Sequence, residues 1–207
     1  MTTLTHPTSH RPMLIVAPLA VALGALGGLA AGSGAFVGVG AVTGLLWAGL
    51  AALLARPLLR LRGTVAADVT ALGAALVVAL TFGAGLVQHV MYPTPEAYLS
   101  LMRSPASGGA TGLYMVLNPL VEWLLMPAAL ALGWHHPRRR RLLLAAATVY
   151  YLQRLTTYLY FAPTVLSWAH GGTLAAVGLW INLDLARMAL DLAVVTILST
   201  AVITRKR

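Results

Sequence analysis

Six apolar runs, at about residues 13–31, 35–55, 65–91, 113–134, 142–161 and 174–203, follow one another with short polar breaks between them. Each is near or above the ~20 residues that an α-helix needs to cross a hydrocarbon core. The pattern predicts an all-α integral membrane bundle with six transmembrane helices. Only Gly32, Ser33 and Gly34 separate the first two runs. One helix through both, about 40 residues long, would overshoot the bilayer, so residues 13–55 read as a transmembrane hairpin. A polar tail, residues 1–12, precedes it, and residues 65–207 form a four-span unit. A cleaved signal peptide is the alternative for residues 13–31. That run leads directly into the second, however, which favours a retained helix.

The hairpin is almost free of polar chemistry. Ala20, Gly24, Gly28 and Gly32 recur every four residues, as do Gly40, Gly44, Ala48 and Ala52. Such stripes let helix backbones approach closely. Packing within the chain is the expected use, and a homo-oligomer contact is the alternative. After the third run, Thr94-Pro95-Glu96 reads as an N-cap, a proline at the first helical position and an acid in the first turn. A short interfacial helix over about Pro95 to Arg103 follows, either a lid over a site between the spans or an ordinary connector, the commoner case, and Ser104 to Thr111 reads as a flexible loop.

Polar positions stand out against this background. On the fourth run Tyr114, Asn118 and Glu122 stack on one face, and Pro119 and Pro127 are expected to bend the helix. On the fifth, Tyr150, Arg154, Thr157 or Tyr158, and Phe161 share a face, with Gln153 beside them. On the sixth, Trp180, Asp184, Arg187 and Asp191 form one stripe. The third ends with Gln88, His89 and Tyr92. Residue rise places Glu122 and Asp184 about 14–15 Å from the outer surface, with Arg187 and Asp191 deeper. Charges facing lipid would cost at least a few kcal/mol each, so these side chains are expected to face one another around a polar pocket in the outer half. Arg187 reaches both aspartates of its own helix, which leaves Glu122 as the partner of Arg154. One carboxyl is then in excess, a candidate proton donor if neutral. Trp134, Tyr92, Tyr160 and Trp168 near the run ends read as interface anchors.

Composition agrees with the pattern. Charged residues make up 9% of the 207 positions, where a soluble domain carries about a quarter. The net charge of +9 comes from clusters between runs, which excludes nucleic acid as the expected partner and points to membrane lipid. Eleven of the fourteen basic residues fall on one side, which places both termini in the cytoplasm of a plasma membrane, bacterial inner membrane being the expected type. His135, His136 and Arg138 to Arg141 form one such cluster, expected to meet anionic head groups. The absence of cysteine excludes disulfides, thiolate metal sites and a cysteine nucleophile. His89 is the one histidine inside a run, and His170 lies in the last outer loop. No dense ligand spacing accompanies them, so no metal site is expected. The cofactor stays open.

From Val65 onward the chain resembles the anthrone-oxygenase-like family of small four-span membrane proteins. The resemblance rests on Gly85-Leu-Val-Gln-His-Val-Met-Tyr-Pro93, Tyr158-Leu-Tyr-Phe-Ala-Pro163 and Trp180-Ile-Asn-Leu-Asp-Leu-Ala-Arg187. It covers about two-thirds of the chain and has no counterpart to the first hairpin. It implies oxygenation of a polycyclic phenolic substrate. The residues alone leave three classes open. The first is an enzyme acting on an apolar small molecule, with Glu122, Arg154 and His89 as catalytic groups. Asn118, Gln88, Tyr158, Trp180, Asp184 and Arg187 would then contact the substrate. The second is a transporter or channel using the buried carboxylates, and the third is a structural or assembly subunit.

Overall fold

The structure is a computed structural model that describes residues 18, 20–22, 24–26, 34–60, 63–168 and 171–204. Among these residues every regular element is helical. The elements are α1 (Gly34–Arg60), α2 (Gly63–Met91), α3 (Pro95–Met102), α4 (Ala106–Pro119), a π-helical turn (Leu120–Leu125) and α5 (Met126–Gly133). After these come α6 (Pro137–Thr156), a second π-helical turn (Thr157–Phe161), α7 (Ala162–Ser167) and α8 (Leu174–Ile203). Three helical stretches are long and apolar enough to cross a membrane: Thr64–Met91, Ala106–Gly133 and Leu174–Ile203. Apolar side chains such as Leu46, Leu76, Val90, Met115 and Leu159 point outward from the bundle, the inverse of a water-soluble surface.

The small-residue stripes meet inside the chain. A Cβ added at Gly24 would strike the carbonyl of Gly40, and one at Gly44 would strike that of Ala20. Glycine is required at both points because the two backbones touch. The hairpin turn itself lies outside the described residues. Ala20 and Ala48 then pack on Trp123 and Leu124, which fixes this unit against the first π turn.

Two cores stack along the bundle. Toward the end that carries the α5–α6 connection, here the arginine end, Val78, Met126, Leu143, Val194 and Leu198 are fully enclosed. Toward α3, here the cap end, the core is aromatic: Tyr98, Phe161, Trp168 and Trp180. Trp168, expected as an interface anchor, is 2% exposed and belongs to this core. Its ring meets Tyr98 and Trp180 edge-on, at centroid distances of 6.2 Å and 5.4 Å. Trp134 and Tyr160 are exposed, as expected of anchors.

The short helix after the third run is present, with Thr94 accepting from the Ala97 N–H at 3.3 Å. The segment expected to be a flexible loop is different: helix α4 already begins at Ala106. Pro105 supplies helical φ and ψ at its start, and the hydroxyls of Ser104, Ser107 and Thr111 bond back to carbonyls one turn earlier. Glycine content alone therefore misled.

The arginine cluster also needs correction. Arg139 is buried and pairs with Asp68 at 2.8 Å, locking α6 to the start of α2. Removing one partner of a buried pair strands the other charge, at a typical cost of about 3–5 kcal/mol. Asp68→Asn is expected to lower the midpoint of thermal unfolding in detergent, and adding Arg139→Met is expected to recover most of the loss. Equal stability of the single variant and the unsubstituted protein would remove the pair from the account.

Candidate functional site

Two prolines shape the centre of the bundle. In the first π turn the Met126 N–H bonds to the Val121 carbonyl, five residues back, and in the second the Ala162 N–H bonds to Thr157. The next residue in each case is proline, Pro127 and Pro163, which has no N–H to continue the register. The positions five residues before these prolines are Glu122 and Tyr158. The widened turn accommodates the proline ring and turns one side chain inward, a form that recurs at functional sites. Pro127 leaves the Glu122 carbonyl without its helical donor. The Tyr151 hydroxyl fills that role, donating to it at 2.7 Å.

The two π turns bring their side chains together. The Tyr158 hydroxyl lies 3.1 Å and 3.0 Å from the two carboxylate oxygens of Glu122. Arg154 donates its Nε–H to Glu122 Oε1 at 2.8 Å, and its guanidinium lies 5.4 Å from the centre of the Tyr158 ring. Glu122 is 1% exposed, so this triad is closed to solvent. The pairing expected between Arg154 and Glu122 is therefore present, with Tyr158 as a third member.

A second group forms between α2, α6 and α8. His89 Nε2 lies 2.9 Å from Asp184 Oδ2, and Arg187 donates Nε–H to Asp184 Oδ1 at 2.7 Å. Arg187 Nη1 is 3.8 Å from Asp191, whose other oxygen accepts from Gln153 Nε2 at 2.7 Å. Sequence reasoning paired Arg187 with both aspartates. It missed that His89 completes Asp184 and that Gln153 serves Asp191. An ionised carboxylate only accepts, so Nε2 is the His89 nitrogen that donates to Asp184. The other ring nitrogen, Nδ1, is buried and has no hydrogen-bond partner.

Aromatic side chains enclose this imidazole. Tyr98, from α3, stacks on it with ring centres 5.6 Å apart, and Trp180 lies at 6.2 Å. The Trp180 Nε1–H donates to the Phe161 carbonyl at 3.2 Å, which ties the second π turn to α8. Arg187 sits 5.5 Å from the Phe161 ring centre. Burial, reinforced by the Asp184 charge, pushes the Tyr98 phenol far above the ordinary tyrosine range, so it stays neutral over His89.

The residues expected at one site thus form two adjoining groups. One is Glu122, Arg154 and Tyr158, and the other is His89, Asp184, Arg187 and Trp180. Gln153 and Arg154 are chain neighbours that face one group each. Asn118 and Gln88 are half-buried and join neither. His170 lies outside the described residues. Among those described, no cluster of three or more His, Asp or Glu side chains suits a metal ion. A signal for the missed Tyr151 existed: Pro127, five residues after Glu122, frees a carbonyl that one of the tandem tyrosines Tyr150-Tyr151 can serve.

No family model, no curated protein and no solved structure matches the chain. The site is defined by its geometry alone.

The role given to Tyr151 follows from proline chemistry and is measurable. Stranding a buried carbonyl costs about 1–3 kcal/mol. Tyr151→Phe is expected to cost that much in unfolding stability. In a Pro127→Ala background, where residue 127 regains its N–H, the same change is expected to cost almost nothing. A loss equal in both backgrounds would separate the hydroxyl from the proline.

Proposed function

We propose that the chain is a six-span membrane enzyme, with both termini cytoplasmic, that removes a proton from an apolar small molecule entering from the outer half of the bilayer. His89 carries this reading: a histidine fixed by a carboxylate on one nitrogen, with the other nitrogen buried and uncommitted. That is the arrangement of a general base whose tautomer is held by its acidic partner. In the proposed reaction His89 Nδ1 accepts the proton. Asp184 stabilises the imidazolium that results. Arg187, with 17% of its side chain exposed, offers positive charge to the oxyanion that develops on the substrate. Arg154 is satisfied by Glu122 and Tyr158, so its part becomes positioning.

The distribution of polarity favours an enzyme over a transporter. The buried Asp68–Arg139 pair lies apart at the arginine end, and the connected polar side chains run from His89 to Asp191. Beyond them, toward the arginine end, the bundle is filled by Val78, Met126, Leu143, Val194 and Leu198. A conducting path needs a continuous line of polar groups across the midplane. That apolar packing supports one-sided access. The resemblance to anthrone-oxygenase-like proteins makes an enolisable phenolic ring system the first substrate class, with dioxygen as second substrate.

The test uses the full chain in lipid nanodiscs with an anthrone-type compound. Exchange of its acidic C–H for deuterium is followed by mass spectrometry, with dioxygen uptake in parallel. General-base catalysis typically contributes about 10²–10⁴-fold. His89→Gln is expected to lose at least about 100-fold of the exchange rate while remaining folded. Exchange by that variant at the unsubstituted rate would end the proposal.

A further inference from the structure

The arginine end of α6 carries more positive charge than the chain can compensate. Pro137 occupies its first position and Arg138 to Arg141 follow, with no acid in the first turn and no side chain capping the helix. The backbone ladder opens with the Arg140 N–H on the His136 carbonyl at 2.8 Å, so the N–H groups of Arg138 and Arg139 stand ahead of it. Helix N-termini favour anions, and four cations there repel one another and the dipole. The chain has five acids. Asp68 pairs with Arg139, Glu122 with Arg154, and Asp184 with His89 and Arg187. Asp191 is held by Gln153 and Arg187, and Glu96 lies on α3 at the far end. Among the described residues, no salt bridge reaches Arg138, Arg140 or Arg141.

A second feature begins where this patch ends. A groove of about 350 Å³ between α5 and α6 is lined by Leu130, Leu144, Ala147, Leu152 and Leu155, among others. Leu144 lies one turn beyond Arg140, and the groove follows α6 for about 16 Å to Leu155. Exposed Trp134 lies one helical turn after Leu130, with the Arg140 guanidinium 5.3 Å from the ring centre. Tryptophan and arginine of this kind gather at the level of lipid head groups.

We propose that this surface binds one anionic phospholipid. Its phosphate rests on Arg138, Arg140, Arg141 and the open start of α6, and one acyl chain lies in the α5–α6 groove. A free phosphate would satisfy the arginines and leave the groove unused. A nucleic acid could not enter an apolar groove facing lipid. Arg139 takes no part, because it is buried on Asp68. The site is separate from His89 and does not depend on the enzymatic reading.

Native mass spectrometry of the full chain, released from nanodiscs of mixed phosphatidylcholine and phosphatidylglycerol, tests the proposal. One phosphatidylglycerol per chain is expected to be retained in preference to phosphatidylcholine. Each surface arginine near an anionic leaflet is worth about 1 kcal/mol, which corresponds to about a fivefold change. Arg140→Gln and Arg141→Gln are each expected to weaken retention by about that factor. Leu144→Trp, which fills the groove and leaves every arginine in place, is expected to weaken it as well. His136→Asp supplies an acidic cap and is expected to reduce the preference for the anionic lipid. Equal retention of both lipids, or retention unaffected by the arginine and groove variants, would overturn the site. So would inorganic phosphate matching, in phosphatidylcholine alone, the thermal stabilisation given by phosphatidylglycerol.

Discussion

An ionised group inside an apolar bundle has nowhere to go except to another polar group. Water is absent, the unpaired cost is several kcal/mol, and lipid offers nothing in return. This constraint organises the whole molecule. Glu122 draws Arg154 and Tyr158 together, and Asp184 draws His89 and Arg187. Asp68 draws Arg139 into the bundle and away from the surface. Each pairing joins elements distant in sequence or fixes the rotation of one helix. The apolar contacts around them are interchangeable in kind, whereas the pairings admit one register. Pairs of this sort define an arrangement more than they add stability.

The prolines supply the second layer of the same logic. A proline within a helix removes one donor and crowds the previous turn. Here the helix answers by widening into a π turn. The widening points Glu122 and Tyr158 at one another, and Tyr151 supplies the donor that Pro127 lacks. The helical irregularities and the central hydrogen-bond network therefore have one origin. The symmetry of the two turns, each with its inward side chain five residues before a proline, makes the triad a product of two similar irregularities that face each other.

Much of this was legible in the residues. Helicity, the extents of the third and sixth runs, the N-capped helix after the third, and the Arg154–Glu122 pair all follow from periodicity, capping chemistry and charge. Three things did not follow. Ser104 to Thr111 looked like a loop because glycine and serine dominate it, yet hydroxyl-to-carbonyl bonds and Pro105 begin a helix there. Arg139 could not be told from its three neighbours, since only three-dimensional proximity to Asp68 selects it. Trp168 read as an interface anchor, and periodicity could not decide whether the helix carrying Tyr98 was a lid or a connector. Long-range choice among chemically similar candidates is what one sequence leaves open. The six-span count stands between these cases. Three helices meet the length and hydropathy of a span, and the α6–α7 segment carries Gln153 and Arg154 within its apolar stretch.

The chemistry ascribed to the molecule depends on one nitrogen. Asp184 and Arg187 fix the imidazole of His89 and leave Nδ1 facing an aromatic enclosure. If that nitrogen holds a lone pair, the centre contains a base. If it holds a proton, the cluster is a closed ionic lock. The ¹⁵N spectrum of histidine-labelled protein in bilayers at neutral pH, with His89 assigned by comparison with His89→Gln, separates the two. The account predicts a protonated Nε2 coupled to Asp184 and an unprotonated Nδ1, with the pattern lost in Asp184→Asn. A protonated Nδ1, or an unprotonated Nε2, would contradict it.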